Sequence, residues 1–159
     1  LLARLGLRAG EIVSLTLGDV LWESGEICVH GKGKQRHRLP LTDDVGKAIA
    51  SYLTTARPRV GSRRLFIRAR APLRGIGSAA TVSTIVAEAT KRAGLDLPCR
   101  NGAHLLRRSL ATGMLQQGAS LDDIGQILRH KNHDTTAIYT KLDLNALRSV
   151  ALPWPGRRS

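Results

Sequence analysis

The stretch DVLWESGEICVHGKGKQRHRLPL, residues 19–41, decides the fold class because extended segments alternate in it with turn residues. Apolar and polar side chains alternate over residues 26–30, as on a strand with one buried face. Ser24-Gly25 precedes this segment and the glycine-rich residues 31–35 follow it, and both are typical hairpin connections. The pattern predicts antiparallel strands over residues 20–22, 26–30 and 36–41.

Helical patterns surround this predicted sheet. Apolar residues recur at helical spacing, and Ser, Thr, Asp or Gly stands at the expected helix ends. The predicted helices cover residues 9–18, 43–55, 81–93, 103–117 and 121–129. The predicted core faces of the third and fifth helices are Val82, Ile85, Val86, Ala89, Ala93, Leu121, Ile124, Ile127 and Leu128. The sequence therefore predicts an α+β fold, mostly helical, with a small antiparallel three-stranded sheet.

Residues 57–78 are predicted to be a surface loop with a short strand at 65–67. Seven arginines and no acidic residue fall within residues 57–74. When such a segment binds a nucleic-acid backbone, the phosphates release their counterions, and this release favours binding. A flexible solvated loop is the alternative.

The net charge of the chain restricts the class of partner that it can bind. Lys and Arg number 25 against 12 Asp and Glu, a formal net charge of +13, which favours a polyanion such as nucleic acid. A membrane partner is not expected, because no apolar run reaches the roughly 20 residues of a span. Cys28 and Cys99 lack the paired spacing of a disulfide framework or a zinc site, which favours a reducing cytoplasm. The 159 residues fit one domain.

Breaking a nucleic-acid backbone without a metal requires a nucleophile, cations for the phosphate oxygens and an acid for the leaving oxygen. His104 and Arg107 share a face of a predicted helix, and His130 follows the end of the next one. Tyr139 lies at the edge of an apolar stripe, on a predicted short helix. Each residue taken alone is more often structural: a solvated basic face, a capping histidine or a half-buried tyrosine.

Two further groups have the same double interpretation. Arg8 precedes Glu11 by three residues, as in a fixed site pair or an ordinary helix salt bridge. Lys32 lies on the glycine-rich hairpin, where it could reach a bound backbone or simply grip phosphates.

The ordered set Arg8, Lys32, His104, Arg107, His130 and Tyr139 together resembles the tyrosine recombinase (phage integrase) family in its Xer-like bacterial form. The matching phrases are GLRAGEIVSLTLGDV (6–20), VHGKGKQRHRLPL (29–41) and AHLLRRSLATGMLQQGASLDDIGQILRHKNHDTTAIYTKLD (103–143). The resemblance implies a site-specific DNA recombinase or integrase of a mobile element, working without a metal or other cofactor.

The resemblance also implies a role for each residue. Tyr139 would be the nucleophile that forms a 3′-phosphotyrosyl link and frees a 5′-hydroxyl. Arg8 and Arg107 would clamp the non-bridging oxygens. His104 and His130 would donate hydrogen bonds to the phosphate, and His104 would also assist proton transfer from the tyrosine.

Lys32 resembles the hairpin lysine that protonates the leaving oxygen, with Lys34 as the alternative. Glu11 matches an acidic position that supports the site. The chain departs from the family where Arg108 replaces the usual His and Arg129 the usual Gly, and both changes add positive charge. The predicted DNA-contacting residues are Lys34, Arg36, Arg38, Arg63, Arg64, Arg108 and Arg129.

The resemblance further implies double-stranded DNA with a specific recombination site as the partner, and a tetramer on that DNA. We expect residues 1–159 to be a catalytic domain with a truncated start, lacking the amino-terminal core-binding domain and therefore weakly active or inactive alone. Residues 143–159 would dock on a neighbouring protomer or in cis. The expected location is the bacterial cytoplasm, associated with the nucleoid.

Three other functions remain open. A non-catalytic DNA-binding module of a truncated integrase would use a helix-turn-helix-like segment at 104–129. A type IB topoisomerase would share the chemistry without site preference. A metal hydrolase would use Cys99, His104, His130 and His133, although no ligand motif supports it.

Overall fold

The computed structural model describes residues 1–31, 35–95 and 102–129. Contacts within the chain divide it into two compact units, residues 1–109 and the residues from 110 onward. No helix in the described part of the chain is long and apolar enough to cross a membrane.

The first unit contains the predicted three-stranded antiparallel sheet. Its strands are β1 (Val20–Leu21), β2 (Glu26–His30) and β3 (Arg36–Pro40), in the order β1-β2-β3. Alternation sends Ile27 and Val29 into the core, where neither is exposed. The strand prediction is confirmed, with β1 and β3 each one residue shorter than expected. Trp22 instead begins the turn, since its carbonyl accepts from the Gly25 N–H at 3.3 Å.

The helices before the sheet are α1 (Leu2–Leu5) and α2 (Ala9–Ser14), followed by a 3₁₀ turn at Leu17–Asp19. The prediction of one helix over residues 9–18 is wrong. Asp19 Oδ2 accepts hydrogen bonds of 2.7 Å from both the backbone N–H and the hydroxyl of Thr16, which starts a separate turn. The chain thereby leaves the helical path before it enters the sheet.

After the sheet, α3 (Asp43–Ser51) continues into one π-helical turn (Tyr52–Ala56), close to the predicted helix. The predicted strand at 65–67 does not form as a strand. Its neighbourhood makes two isolated bridges, Thr16 with Arg64 and Ile67 with Gly75. A buried loop segment therefore completes this side of the core.

Helix α4 (Ala79–Arg92) packs on α2 and begins at Ser78, whose hydroxyl accepts from the Thr81 N–H. Only Val82 and Val86 of its predicted core face are buried. Ile85 is 47% exposed and lines an open apolar groove of about 500 Å³, and the predicted core positions Ala89 and Ala93 are exposed. The prediction was wrong there because hydrophobic spacing identifies a helix face without identifying what covers it.

Helices α5 (Gly102–Gln116) and α6 (Leu121–Ile127) complete the described chain. In the second unit Ala111, Ile124 and Leu128 are fully buried. Ile127, also predicted to be core, is 46% exposed. Ile127 follows Ile124 by three residues and is rotated by about 100° from Leu128, so it lies at the edge of their helix face, where the described residues leave it partly uncovered. The α+β prediction, mostly helical with one small sheet, is confirmed.

Candidate active site

Arg8 and Glu11 form a fixed pair at the start of α2. The Arg8 backbone N–H donates to Glu11 Oε2 at 2.7 Å, and Arg8 Nη1 donates to Glu11 Oε1 at 3.0 Å. Glu11 is 6% exposed, whereas the Arg8 side chain is 44% exposed. A buried carboxylate thus anchors a guanidinium that still reaches the surface.

Arg107 lies on α5 and is only 4% exposed. Its Nη1 donates to the carbonyl oxygen of Gly6, 101 residues away in the sequence. Gly6 ends α1 with φ 58°, a left-handed conformation that glycine adopts without strain. Because Gly6 precedes Arg8 by two residues, the structure places the Arg107 guanidinium beside the segment that carries Arg8.

His104 lies one turn before Arg107 on the same helix and is exposed. Its neighbours Ala103 and Leu106 pack in the core of the first unit, so the helix is anchored at this turn. The described part of the site therefore comprises two arginines, one buried carboxylate and one exposed imidazole on two elements of the same unit.

Four predicted residues lie outside the described residues: Lys32, Lys34, His130 and Tyr139. The strands on either side of Lys32 stay paired through His30 and Arg36, and the Gly31 N–H donates to the Gln35 carbonyl at 2.8 Å. The catalytic assignments of these four residues remain predictions.

The predicted DNA-contacting arginines fall on several surfaces. Arg36 and Arg38 are exposed at alternate positions of β3 and so share one face of the sheet. Arg63, Arg64 and Arg108 are exposed, while Arg129 is half-buried with φ 54°. These arginines also remain predicted DNA contacts.

The basic loop is partly tied to the core. Arg57 donates from its guanidinium to the carbonyls of Ser62 at 2.7 Å and Leu65 at 3.2 Å. Tyr52 accepts from the Ile67 N–H at 3.0 Å, and Arg64 Nη1 donates to the Ser14 carbonyl at 2.5 Å. Residues 57–67 are therefore held by specific hydrogen bonds, which weighs against a freely flexible loop.

A polar network beside β2 was not predicted. Asp19 is 8% exposed and its Oδ1 lies 2.8 Å from His30 Nε2. The spacing Thr16-x-x-Asp19 is that of a capping box and could have identified Asp19 as a fixed carboxylate. Its contact with His30 could not be deduced from spacing, because strand register creates it.

The chain is similar to several known proteins. A sequence profile of the phage integrase family matches residues 1–145. "Putative integrase/recombinase y4rA" of Sinorhizobium fredii is 53% identical over 155 residues, which are 98% of this chain and 37% of that protein. Tyrosine recombinase XerD of Mycobacterium tuberculosis is 31% identical over 161 residues, 98% of this chain and 49% of that protein. The chain spans about half or less of the length of these relatives.

Solved structures share the fold. The crystal structure of XerA recombinase has a TM-score of 0.76 at 31% identity, over 99% of this chain and 56% of that chain. XerH site-specific recombinase, bound to palindromic difH substrate in a post-cleavage complex, has a TM-score of 0.76 at 26% identity, over 98% and 44%. The resemblance drawn from the ordered basic and tyrosine motifs is thereby confirmed: this chain belongs to the phage integrase family.

Proposed function

We propose that this chain is the catalytic domain of a site-specific DNA recombinase that cleaves and rejoins strands through a 3′-phosphotyrosyl intermediate on Tyr139. The observation that carries the proposal is the buried Arg107, hydrogen-bonded to the Gly6 carbonyl next to the Arg8 segment. A buried guanidinium beside a segment that carries a second arginine concentrates positive charge, which supports a role in binding an anion such as a phosphate.

The two arginines fit the charge of a phosphodiester. A guanidinium stays protonated and presents parallel donors that match two oxygens. Glu11 fixes Arg8 from the protein side, which leaves the exposed part of that side chain for the DNA backbone. As negative charge moves onto the non-bridging oxygens, preorganised cations stabilise it without rearranging.

The bond changes balance without an external energy source. The Tyr139 oxygen attacks phosphorus, the phosphorus–O5′ bond breaks, and the 5′-oxygen leaves as a hydroxyl. Lys32, or Lys34, supplies the proton to that oxygen, while His104 and His130 donate hydrogen bonds to the phosphate and His104 assists proton transfer from the tyrosine. The reverse reaction joins a 5′-hydroxyl of another strand, so no ATP is consumed.

The proposed partner is double-stranded DNA carrying a specific recombination site, bound by a tetramer in the bacterial cytoplasm at the nucleoid. The net charge of +13 supports a polyanionic partner. The related XerH was solved with its difH substrate, which supports DNA as the polyanion. The DNA-contacting residues proposed for this chain are Lys34, Arg36, Arg38, Arg63, Arg64, Arg108 and Arg129.

Covalent trapping on a nicked DNA substrate tests the proposal. Candidate sites come from the DNA that flanks the gene, with a nick placed so that the released fragment diffuses away and blocks rejoining. We expect a protein–DNA adduct with the native chain and none with Tyr139→Phe. Tyr52→Phe is the matched control, because Tyr52 is the other tyrosine and, among the described residues, its hydroxyl accepts from the Ile67 N–H.

Each other outcome has a distinct meaning. An adduct formed by Tyr139→Phe would overturn the assignment of the nucleophile. Binding without an adduct on any substrate would support a non-catalytic DNA-binding module. Plasmid relaxation without site preference would indicate a topoisomerase, and cleavage lost in EDTA would indicate a metal hydrolase.

A further inference from the structure

Three potential metal ligands meet on the outer face of the sheet. One ligand atom each of Asp19, Cys28 and His30 lies within 4.8 Å of the others. Cys28 and His30 alternate on β2, opposite in direction to the buried Ile27 and Val29. The Val20–Ile27 register pair, continued by one residue, sets Asp19 across from Cys28. Strand pairing therefore holds the three side chains together.

The carboxylate of this trio is oriented in advance. Asp19 Oδ2 accepts the Thr16 N–H and hydroxyl, both at 2.7 Å, which leaves Oδ1 directed at His30 Nε2. Burial alone would raise the pKa of Asp19, but the hydrogen bonds from Thr16 and His30 outweigh it and lower that pKa. Outer hydrogen bonds of this kind fix the orientation of metal-binding carboxylates.

The donor set suits a borderline divalent ion. Sulfur, imidazole nitrogen and carboxylate oxygen are the three ligand types of protein zinc sites, with bonds of about 2.0–2.3 Å. A tetrahedron with those bonds separates neighbouring ligand atoms by about 3.3–3.7 Å. Oδ1 and Nε2 are 2.8 Å apart and would have to separate by about 0.5 Å, while a pair near the 4.8 Å limit would have to approach by about 1 Å, for an ion to be bound.

We propose that Asp19, Cys28 and His30 form a Zn²⁺-binding site on the outer face of the sheet, at the base of the hairpin connection 31–35. Three protein ligands leave a fourth position for water. A bound ion would fasten the turn before β1 to the last residue of β2. The proposal does not depend on the recombinase chemistry.

The charges near the trio and its ligand types both restrict which ion the site can hold. Arg38 and Arg36 are the register partners of Cys28 and His30 and oppose a net positive site. A Zn²⁺ bound by one carboxylate, one thiolate and a neutral imidazole makes a site with a net charge of zero beside them. Mg²⁺ prefers oxygen ligands only and would not use this trio.

Cobalt substitution tests the site, because a tetrahedral Co²⁺–thiolate complex gives absorption bands that an Asp–His hydrogen bond cannot give. The purified chain is stripped with EDTA and titrated with Co²⁺, then with Zn²⁺ in competition with a chromophoric chelator. We expect one ion per chain, a thiolate-to-cobalt band, and displacement of Co²⁺ by Zn²⁺.

Matched variants locate the ion. Cys28→Ser should remove the thiolate band and weaken Zn²⁺ binding at least tenfold, whereas Cys99→Ser, the other cysteine, should change neither. His30→Gln should weaken binding in the same way. His37→Gln is its control, since His37 pairs with Val29 and points to the opposite face. Circular dichroism and thermal unfolding of each metal-free variant check that binding is not lost through misfolding.

The contrary results are equally definite. No cobalt spectrum in the native chain would overturn the proposal. A band that survives Cys28→Ser, or that disappears with Cys99→Ser, would place the ion elsewhere and would also overturn it. The adduct assay on Tyr139 is unaffected by any of these outcomes, so this proposal and the proposed function can fail separately.

Discussion

Arg107 is a buried charged side chain, so its effect on the free energy of unfolding can be compared with its proposed role in DNA cleavage. A guanidinium that is 4% exposed has left water almost completely, and its hydrogen bond to the Gly6 carbonyl recovers part of that loss. Replacing a complete buried ion pair by apolar residues is often neutral, whereas removing one partner of such a pair costs about 3–5 kcal/mol. The phosphate-binding role proposed for Arg107 would use this charge, and its effects on stability and on cleavage can be measured separately.

We expect Arg107→Met to lower the free energy of unfolding by about 1–3 kcal/mol, because the Gly6 carbonyl loses its hydrogen-bond donor. Cleavage of the nicked DNA substrate should nevertheless fall by about 10²- to 10³-fold, the usual effect of removing one transition-state donor. Urea unfolding and the rate of adduct formation measure the two quantities. Arg57→Met is the control: it should also lower stability but leave cleavage unchanged, because the Arg57 guanidinium donates to the carbonyls of Ser62, Arg64 and Leu65. An Arg107 variant that cleaves at the native rate would contradict the site.

The start of helix α6 is stabilised by a capping interaction whose free energy can be measured. Ser120 begins α6 with a complete capping box: its hydroxyl accepts from the Asp123 N–H at 3.1 Å, and its own N–H donates to Asp123 Oδ2 at 3.3 Å. This exchange satisfies backbone donors that the first turn of the helix would otherwise leave unpaired. A helix of seven residues depends strongly on such an end.

Ser120→Ala should therefore lower the free energy of unfolding by about 1 kcal/mol. Ser109→Ala is the matched control, since Ser109 is exposed within α5 and, in the part of the chain that the structure describes, donates to the Leu106 carbonyl one turn back. Alanine is the better helix former there, so we expect the control to be neutral or slightly stabilising. Equal losses in both variants, measured by urea unfolding, would show that the cap contributes nothing special.

The same elements show how far the sequence could predict the structure. The alternation of apolar and polar residues predicted β2 with its observed bounds, Glu26–His30. This was possible because a half-buried strand leaves a period of two in its sequence. Spacing could not show that Ile85 and Ile127 remain exposed, since burial depends on the partner surface. The Arg8–Glu11 pair was predictable as a local contact, whereas the Arg107–Gly6 and Asp19–His30 contacts depend on tertiary packing and strand register.

The arginines of the described chain lie on several surfaces and do not form one patch. Some arginines are already committed to protein carbonyls, as Arg57 and Arg64 are, and others lie exposed on the sheet. Arg36 and Arg38 share one face of β3, and of these Arg38 has a weak contact of 3.4 Å with Glu26. If a DNA backbone crosses this face, each contact between an arginine and a phosphate would release counterions from the DNA.

The salt dependence of DNA binding measures those contacts. Each phosphate contact contributes about 0.9 to the slope of log association constant against log salt concentration. Replacing Arg36 and Arg38 by Gln should therefore reduce the slope by about 2, with weaker binding across all DNA sequences alike. Replacing Lys47 and Lys91 by Gln removes the same charge from exposed positions on α3 and α4, where Lys47 already pairs with Asp43 at 2.6 Å. If the two double variants reduce the slope equally, binding follows net charge alone, and the outer face of β3 is not a DNA-contacting surface.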